Sequence, residues 1–292
     1  MRASILLAII LILSWAAPSH AQTAIPVKSY GQELVDRLLA KNPDLLVVAM
    51  HVATPALPGY PIVASNIGRY GKPADDDDMR VVNTGRANLE PSHDQKRFEV
   101  ELPMRDVTGK TIGALGLVFK YKPGDDRRAL EKKGTAIRDA LQRRVISPAT
   151  LVEPHPLVAT ATTRTHAQKI VDALYEKHQD LIVIALHMNM PGDEGNIIVA
   201  STFGRIGKKA DDDDMHVIDT GEVKSAVYGD GKRWGVAMPM YDVTGKTIGA
   251  VNVGYAFHEG DDEKVLLRKA AQIRDELKAL SKSVAELAAL DP

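Results

Sequence analysis

The chain contains one of its own segments twice. Met104-Arg105-Asp106-Val107-Thr108-Gly109-Lys110-Thr111-Ile112-Gly113-Ala114 returns as Met240-Tyr241-Asp242-Val243-Thr244-Gly245-Lys246-Thr247-Ile248-Gly249-Ala250. Equivalent residues keep a constant offset (245 − 109 = 136), which also relates Asp44 to Asp180, His51 to His187, Gly68 to Gly204, Asp75 to Asp211 and Arg138 to Arg274. A register without gaps from the first helix to the last is a tandem duplication of one domain, and its period is too long for a solenoid unit. Each copy must therefore close its own core.

The length of 292 residues suits two domains at ~150 residues each. Residues 1–21 read as a signal peptide. Arg2 is a short basic start, Ile5 to Trp15 is an apolar run, and Ser19-His20-Ala21 is a small-x-small ending. That run is too short, and its exit too polar, to span a bilayer. The mature chain is expected to be soluble and periplasmic or secreted. Residues 22–146 form the first domain and 164–292 the second, which ends in an amphipathic helix. Residues 147–163, rich in Pro, Ala and Thr, read as an extended linker. With no cysteine, stability must come from core burial. Lys+Arg at 37 against Asp+Glu at 38 leaves no net field for nucleic acid or anionic lipid.

Each copy repeats one order of elements. A helix comes first (Gln32 to Lys41, His166 to Lys177), with an apolar stripe of Leu34, Val35, Leu38 and Leu39 in the first copy. The continuous apolar runs Leu45 to Met50 and Leu181 to Leu186 are strands covered on both faces. Short strands Ile62 to Ser65 and Ile198 to Ser201 follow, then a Gly-Arg-x-Gly-Lys turn, an acidic run and a segment ending in Thr-Gly. Phe98 to Met104 pairs with Ile112 to Tyr121, and Trp234 to Met240 with Ile248 to Phe257, as hairpins. Asp opens each turn and Gly supplies positive φ. Gly109-Lys110-Thr111 looks like the tail of a P-loop, but the Gly needed five positions earlier is Met104, and Met240 in the second copy, which excludes a nucleotide site. The last helix carries Leu266, Ala270, Ile273, Leu277, Leu280, Val284 and Leu287 at heptad spacing. Its first half is expected to cover its own sheet. Beyond Leu280 it is expected to overhang the domain and form a homodimer contact.

The sequence Gly-Arg-Ile-Gly-Lys, followed by acidic residues, Val-Ile-x-Thr-Gly and Met-Pro-Met-Tyr-Asp-x-x-Gly-Lys-x-Ile-Gly-Ala-Val-x-Val-Gly-Tyr, resembles the single-Cache (PAS-like) extracytoplasmic sensor domains of citrate and dicarboxylate sensor kinases and chemoreceptors. The resemblance covers nearly all of each copy. It implies an α+β fold: two tandem PAS/Cache-like domains, each an antiparallel sheet of about five strands flanked by N- and C-terminal helices, with a small-molecule pocket walled by loops. Two departures stand out. The basic residue that holds a ligand carboxylate in dicarboxylate sensors, four places before the Pro, is replaced by Glu99 and Gly235. The His expected before the Arg-x-Gly turn is Ala64 or Ala200. A citrate-like ligand is not implied.

The candidate ligand-binding residues fall in matched sets. His51 and His187 end the first strand of each copy, and Ser65 and Ser201 end the second. Arg69, Lys72, Arg205 and Lys208 sit in the Arg-x-Gly turns, where Arg suits a carboxylate or pairs with the neighbouring acids. Arg97 and Arg233 open the wall strand, next to Phe98 and Trp234; alternation allows only one member of each pair to face a pocket. Arg105 and Tyr241 are equivalent but chemically different. Asp75, Asp76 and Asp78, with Asp211, Asp212 and Asp214, offer carboxylates for a divalent cation such as Ca²⁺; the competing reading is a helix start with acids at the positive dipole end. No set resembles a catalytic constellation, so an enzyme is not expected. Three functions follow: a sensor-type small-molecule-binding protein signalling through a membrane receptor or sensor protein; a structural or adaptor protein with degenerate domains; or a cation-binding protein using the Asp runs.

Overall fold

The computed structural model describes residues 28–190 and 195–291; the segment read as a signal peptide lies outside them. The first half runs α1 (Tyr30–Lys41), β1 (Leu45–Val52), β2 (Ile62–Ser65), α2 (Asp76–Thr84), β3 (Asn88–Pro91), β4 (Arg97–Arg105), β5 (Thr111–Lys120), α3 (Arg127–Gln142) and α4 (Pro148–Val152). The second repeats it as α5 (His166–Lys177), β6 (Leu181–Asn189), β7 (Asn196–Ser201), α6 (Asp212–Thr220), β8 (Lys224–Tyr228), β9 (Arg233–Tyr241), β10 (Thr247–Ala256), α7 (Glu263–Leu280) and α8 (Val284–Ala288). Each half holds one five-stranded sheet, ordered β2-β1-β5-β4-β3 and β7-β6-β10-β9-β8. All pairings are antiparallel. The α+β expectation therefore holds.

Period-two alternation gives each sheet two distinct faces. On β4, Phe98, Val100, Leu102 and Met104 enter the core beneath α1 and α3. Trp234, Val236, Met238 and Met240 on β9 do the same beneath α5 and α7. The residues between them, Glu99 and Glu101 or Gly235 and Ala237, point to the other face, where α2 or α6 lies. Pro103 and Pro239 sit mid-strand but beyond the last residues paired by β3 and β8, so their missing N–H leaves no ladder bond unmade on that side.

The hairpin turns form as the sequence dictates. Asp106 Oδ1 accepts from the N–H groups of Thr108 (2.9 Å) and Lys110 (3.2 Å), and Gly109 has φ 81°. Asp242 holds Thr244 and Lys246 at 2.9 and 3.1 Å.

Two expectations are corrected. The stretch read as an extended linker opens with helix α4, whose Leu151 is wholly buried in the first core. α4 is the equivalent of α8, whose Leu287 is buried in the second. The bridges Ser29–Pro154 and Thr165–Leu290 are likewise equivalent. The duplication thus includes a short closing helix that Pro148 obscured in the sequence. Nor does the last helix overhang. α7 stops at Leu280, Ser281 turns back with its hydroxyl donating to the Leu277 carbonyl at 2.8 Å, and α8 folds onto α5. The continuous seam on which a helix-mediated dimer rested is absent.

The halves meet through the end of α3. Arg143 Nη2 donates to the carbonyls of Tyr175 (2.9 Å) and His178 (3.2 Å) at the C-terminus of α5, while its guanidinium stacks on the Tyr175 ring, 4.2 Å from the centroid. Arg144 pairs with Asp172 at 3.0 Å. Tyr30 donates across the junction to the Thr202 carbonyl at 2.9 Å. Val107 and Ile146 of the first half pack on Ile182, Val183, Ala185 and Phe203 of the second.

Candidate functional site

The second half holds a recess of about 740 Å³ on the sheet face away from α5 and α7. Val183, Ala185, Gly235 and Ala237 contribute to its floor, Phe203 and Tyr228 are its aromatic lining, and Ile146 reaches in from the first half. Small side chains at 235 and 237 create it. Tyr228 lies over the floor: a Cβ on Gly235 would come within 2.8 Å of its ring, and one on Gly254 within 3.1 Å of its hydroxyl. Arg233 stacks on that ring, 4.7 Å from the centroid.

The polar end of the recess is a triad of buried His187 and Asp214 with half-buried Asn252. His187 Nδ1 stands 3.3 Å from Asp214 Oδ2, out of line for a hydrogen bond. Asn252 Nδ2 donates to Asp214 Oδ1 at 2.8 Å and lies 3.4 Å from His187 Nε2. Burial lowers the His187 pKa against the upward pull of Asp214 and Asp211, so the ring is neutral at pH 7. Arg205 makes a two-pronged pair with Glu153 (2.9 and 2.9 Å), Lys208 lies 3.7 Å from Asp211, and Lys224 lies 2.7 Å from Asp213.

The equivalent place in the first half is occupied by the protein's own side chains. Glu101 is only 3% exposed, and Glu99 Oε1 stands over Gly116, 3.7 Å from where a Cβ would sit. Burial first, then a hydrogen bond to Asp78 and the Asp78 and Glu99 charges, push the Glu101 carboxyl up to about 9. Burial and the acids Glu90, Asp78, Asp75 and Asp77 raise Glu99 as well. His51 is buried, with Nδ1 3.0 Å from the Tyr60 carbonyl and Nε2 3.5 Å from Asp78.

The structure gathers His187, Arg205, Lys208, Asp211, Asp214 and Arg233 at one recess, and Trp234 takes the core side of its strand, as alternation requires. The other candidates lie elsewhere. Ser65 and Ser201 donate into their own turns, to the carbonyls of Gly68 and Gly204. Arg69 is exposed with φ 63°, Arg97 is exposed, and Lys72 pairs with Asp75 at 3.2 Å. Arg105 and Tyr241 lie at the far end of the hairpin, where Tyr241 sits under Arg274 and Lys278 of α7.

The Asp runs are helix caps. Asp75 accepts from the Asp78 N–H at 3.3 Å while Asp78 accepts from the Asp75 N–H at 2.8 Å; Asp211 and Asp214 repeat this reciprocal box at 3.2 Å in both directions. Asp76 and Asp212 occupy the first turn, where the helix dipole favours acids. Among the described residues no group of three or more His, Cys, Asp or Glu is placed to hold a metal ion.

Asn252, Tyr228 and Lys224 were missed by sequence reasoning. Their signal was there: each interrupts the repeat, opposite Gly116, Ser92 and Asn88. A larger void of about 950 Å³ runs between α1, α3 and α5. It is a junction groove rimmed by internal ion pairs such as Arg144–Asp172, which already tie its charged groups to one another.

No family model matches the chain, and no curated protein matches it. Among solved structures it is similar to a GAF sensor protein from Burkholderia vietnamiensis (14% identity, 48% of this chain and 84% of that one, TM-score 0.30). It is also similar to the PobR inducer-binding domain from Acinetobacter, solved with 3-hydroxybenzoic acid (12%, 41% and 98%, TM-score 0.27), and to PelD from Pseudomonas aeruginosa PAO1 (16%, 88% and 79%, TM-score 0.27). The first is described as a GAF sensor and the second as an inducer-binding domain, and all three overlaps are too slight to carry an argument about this chain.

Proposed function

We propose that this chain is an extracytoplasmic small-molecule-binding protein of the sensor type, built from two Cache-like domains, in which the second half binds and the first does not. The observation that carries this reading is the recess of about 740 Å³: apolar floor, polar end, and a size within the usual range for ligand sites. Its role is binding rather than catalysis, and any signal passes to a receptor or sensor protein. The extracytoplasmic placement is supported by the N-terminal basic, apolar and small-x-small pattern.

A ligand that binds only the folded chain raises its melting temperature by mass action. A broad metabolite screen by thermal shift should find such a compound. Ala226→Trp, on an exposed edge strand that lines the recess, should abolish the shift while leaving the unliganded melting temperature nearly unchanged. If no compound stabilises the wild type, or if Ala226→Trp responds equally, the reading falls.

A further inference from the structure

The two halves are one domain with opposite charge around the same place. The lining of the second recess carries four cations (Arg205, Lys208, Lys224, Arg233) against three acids (Asp211, Asp213, Asp214). At the equivalent positions the first half has three cations (Arg69, Lys72, Arg97) against six acids (Asp75, Asp77, Asp78, Glu90, Glu99, Glu101). The exchange is concentrated on the strands of the floor. Glu99 becomes Gly235, Glu101 becomes Ala237, Glu90 becomes Ala226, and Asn88 becomes Lys224. The changes that open the space also remove acid groups from it.

Three of the four cations already have carboxylate partners: Arg205 with Glu153, Lys208 with Asp211, and Lys224 with Asp213. Arg233 has none among the described residues. Its Nη1 reaches only the Ile146 carbonyl, at 3.4 Å, and its Nε lacks a hydrogen-bond partner. A guanidinium without a carboxylate partner, beside an apolar floor, is complemented by a single acid group on an apolar body. A dianion would leave its second charge facing the Asp211 and Asp214 carboxylates, and an amine would meet Arg233.

We infer that the second recess takes a small organic monoanion, its acid group on Arg233 and its apolar body on the floor of Val183, Ala185 and Ala237, and that the first recess is the same site plugged by its own glutamates. This rests on the reading of the second recess as a binding site.

The test is calorimetric titration and thermal shift of the full chain at fixed ionic strength. The probes are butyrate, butyramide and butylamine, with benzoate, benzamide and benzylamine as a second set. The acids should bind and their amides and amines should not. Arg233→Gln should weaken the acids roughly tenfold, as loss of a charged hydrogen-bond donor does. Ala237→Glu, which copies the first half, should abolish binding. An amide or amine that binds as well as its acid, or an acid indifferent to Arg233→Gln, overturns the monoanion. If all six probes fail and the broad screen yields a neutral or cationic compound sensitive to Ala226→Trp, the ligand class is wrong and the recess stands. If neither probes nor screen yield any binder, the recess reading itself is wrong.

Discussion

Asn252 donates to Asp214 at 2.8 Å from the central strand β10; in the first half the polar side chain near Asp78 is Glu101 of the neighbouring strand, only 3% exposed, whose carboxyl Asp78 helps to raise. The two arrangements are cross-strand exchanges. Glu101 stands opposite Gly116, and Asn252 stands opposite Ala237. One polar side chain occupies each pair of positions, but an amide can donate to a carboxylate while ionised, whereas a carboxyl must hold a proton to do so.

The consequence is a pH-dependent cost in the first half. Glu101 has its ordinary pKa of 4.5 in the unfolded chain and about 9 in the folded one, so the unfolded chain releases the proton first as pH rises. Stability contributed by the protonated pair is complete below about pH 4.5 and declines as pH climbs towards about 9. Glu101→Gln should therefore gain on the wild type across that window, with a melting-temperature advantage a few degrees larger at pH 9 than at pH 5. Parallel thermal melts check this, and a difference that does not change with pH would show that Glu101 is not protonated when folded.

The helix caps predict a clean separation of capping from cation binding. Asp211→Ala removes the acceptor for the Asp214 N–H and should cost about 1 kcal/mol. Asp211→Asn keeps an acceptor and should cost only a few tenths. Urea unfolding measures both. A cation site would instead make both variants weaken a calcium-dependent stabilisation, which the wild type is expected not to show.

Arg143 gathers the end of α5 and the start of β6 through carbonyls of Tyr175, His178 and Leu181. Cationic donors at a helix C-terminus also complement the dipole. Arg143→Ala should lose about 2 kcal/mol and loosen the junction. In scanning calorimetry a single transition should broaden or split into two. An unchanged sharp transition would mean that the halves are coupled elsewhere.

Gly113 and Gly249 are required by close approach. A Cβ at Gly113 would fall 1.8 Å from the His51 carbonyl oxygen, and one at Gly249 would fall 2.0 Å from that of His187. Backbone cannot yield as a flexible side chain can, so either Ala substitution should cost more than about 2 kcal/mol. Gly109→Ala, in an open turn with φ 81°, should cost about 1 kcal/mol from backbone strain alone. Denaturant midpoints rank the three.

Much of the fold is legible in the residue order alone. The hairpin turns, the buried first strands and the two-faced wall strands follow from local chemistry and period-two alternation, and the structure keeps each of them. The edge strands β3 and β8 escaped notice because Asn88–Pro91 and Lys224–Tyr228 are mostly exposed and lack an apolar face. The closing helices were misread for related reasons. Pro148 at the start of α4 looks like a linker residue although proline suits the first turn of a helix, and the heptad spacing of Leu280, Val284 and Leu287 persists across a break at Ser281.

The candidate site was less legible. Residue type and position point equally to His187, Lys208 and Arg233, which line the recess, and to Ser201 and Tyr241, which face their own turn and α7. By itself the amino-acid order determined the duplication, the sheet-forming segments and the capped helices, because turns, caps and alternation act between residues close in the chain. Only the tertiary structure decided that one copy is hollow and the other filled, because that depends on volumes and charges brought together from β6, α6, β8, β9 and β10. Glu101 fills its recess beneath α2, and Ala237 leaves its own open.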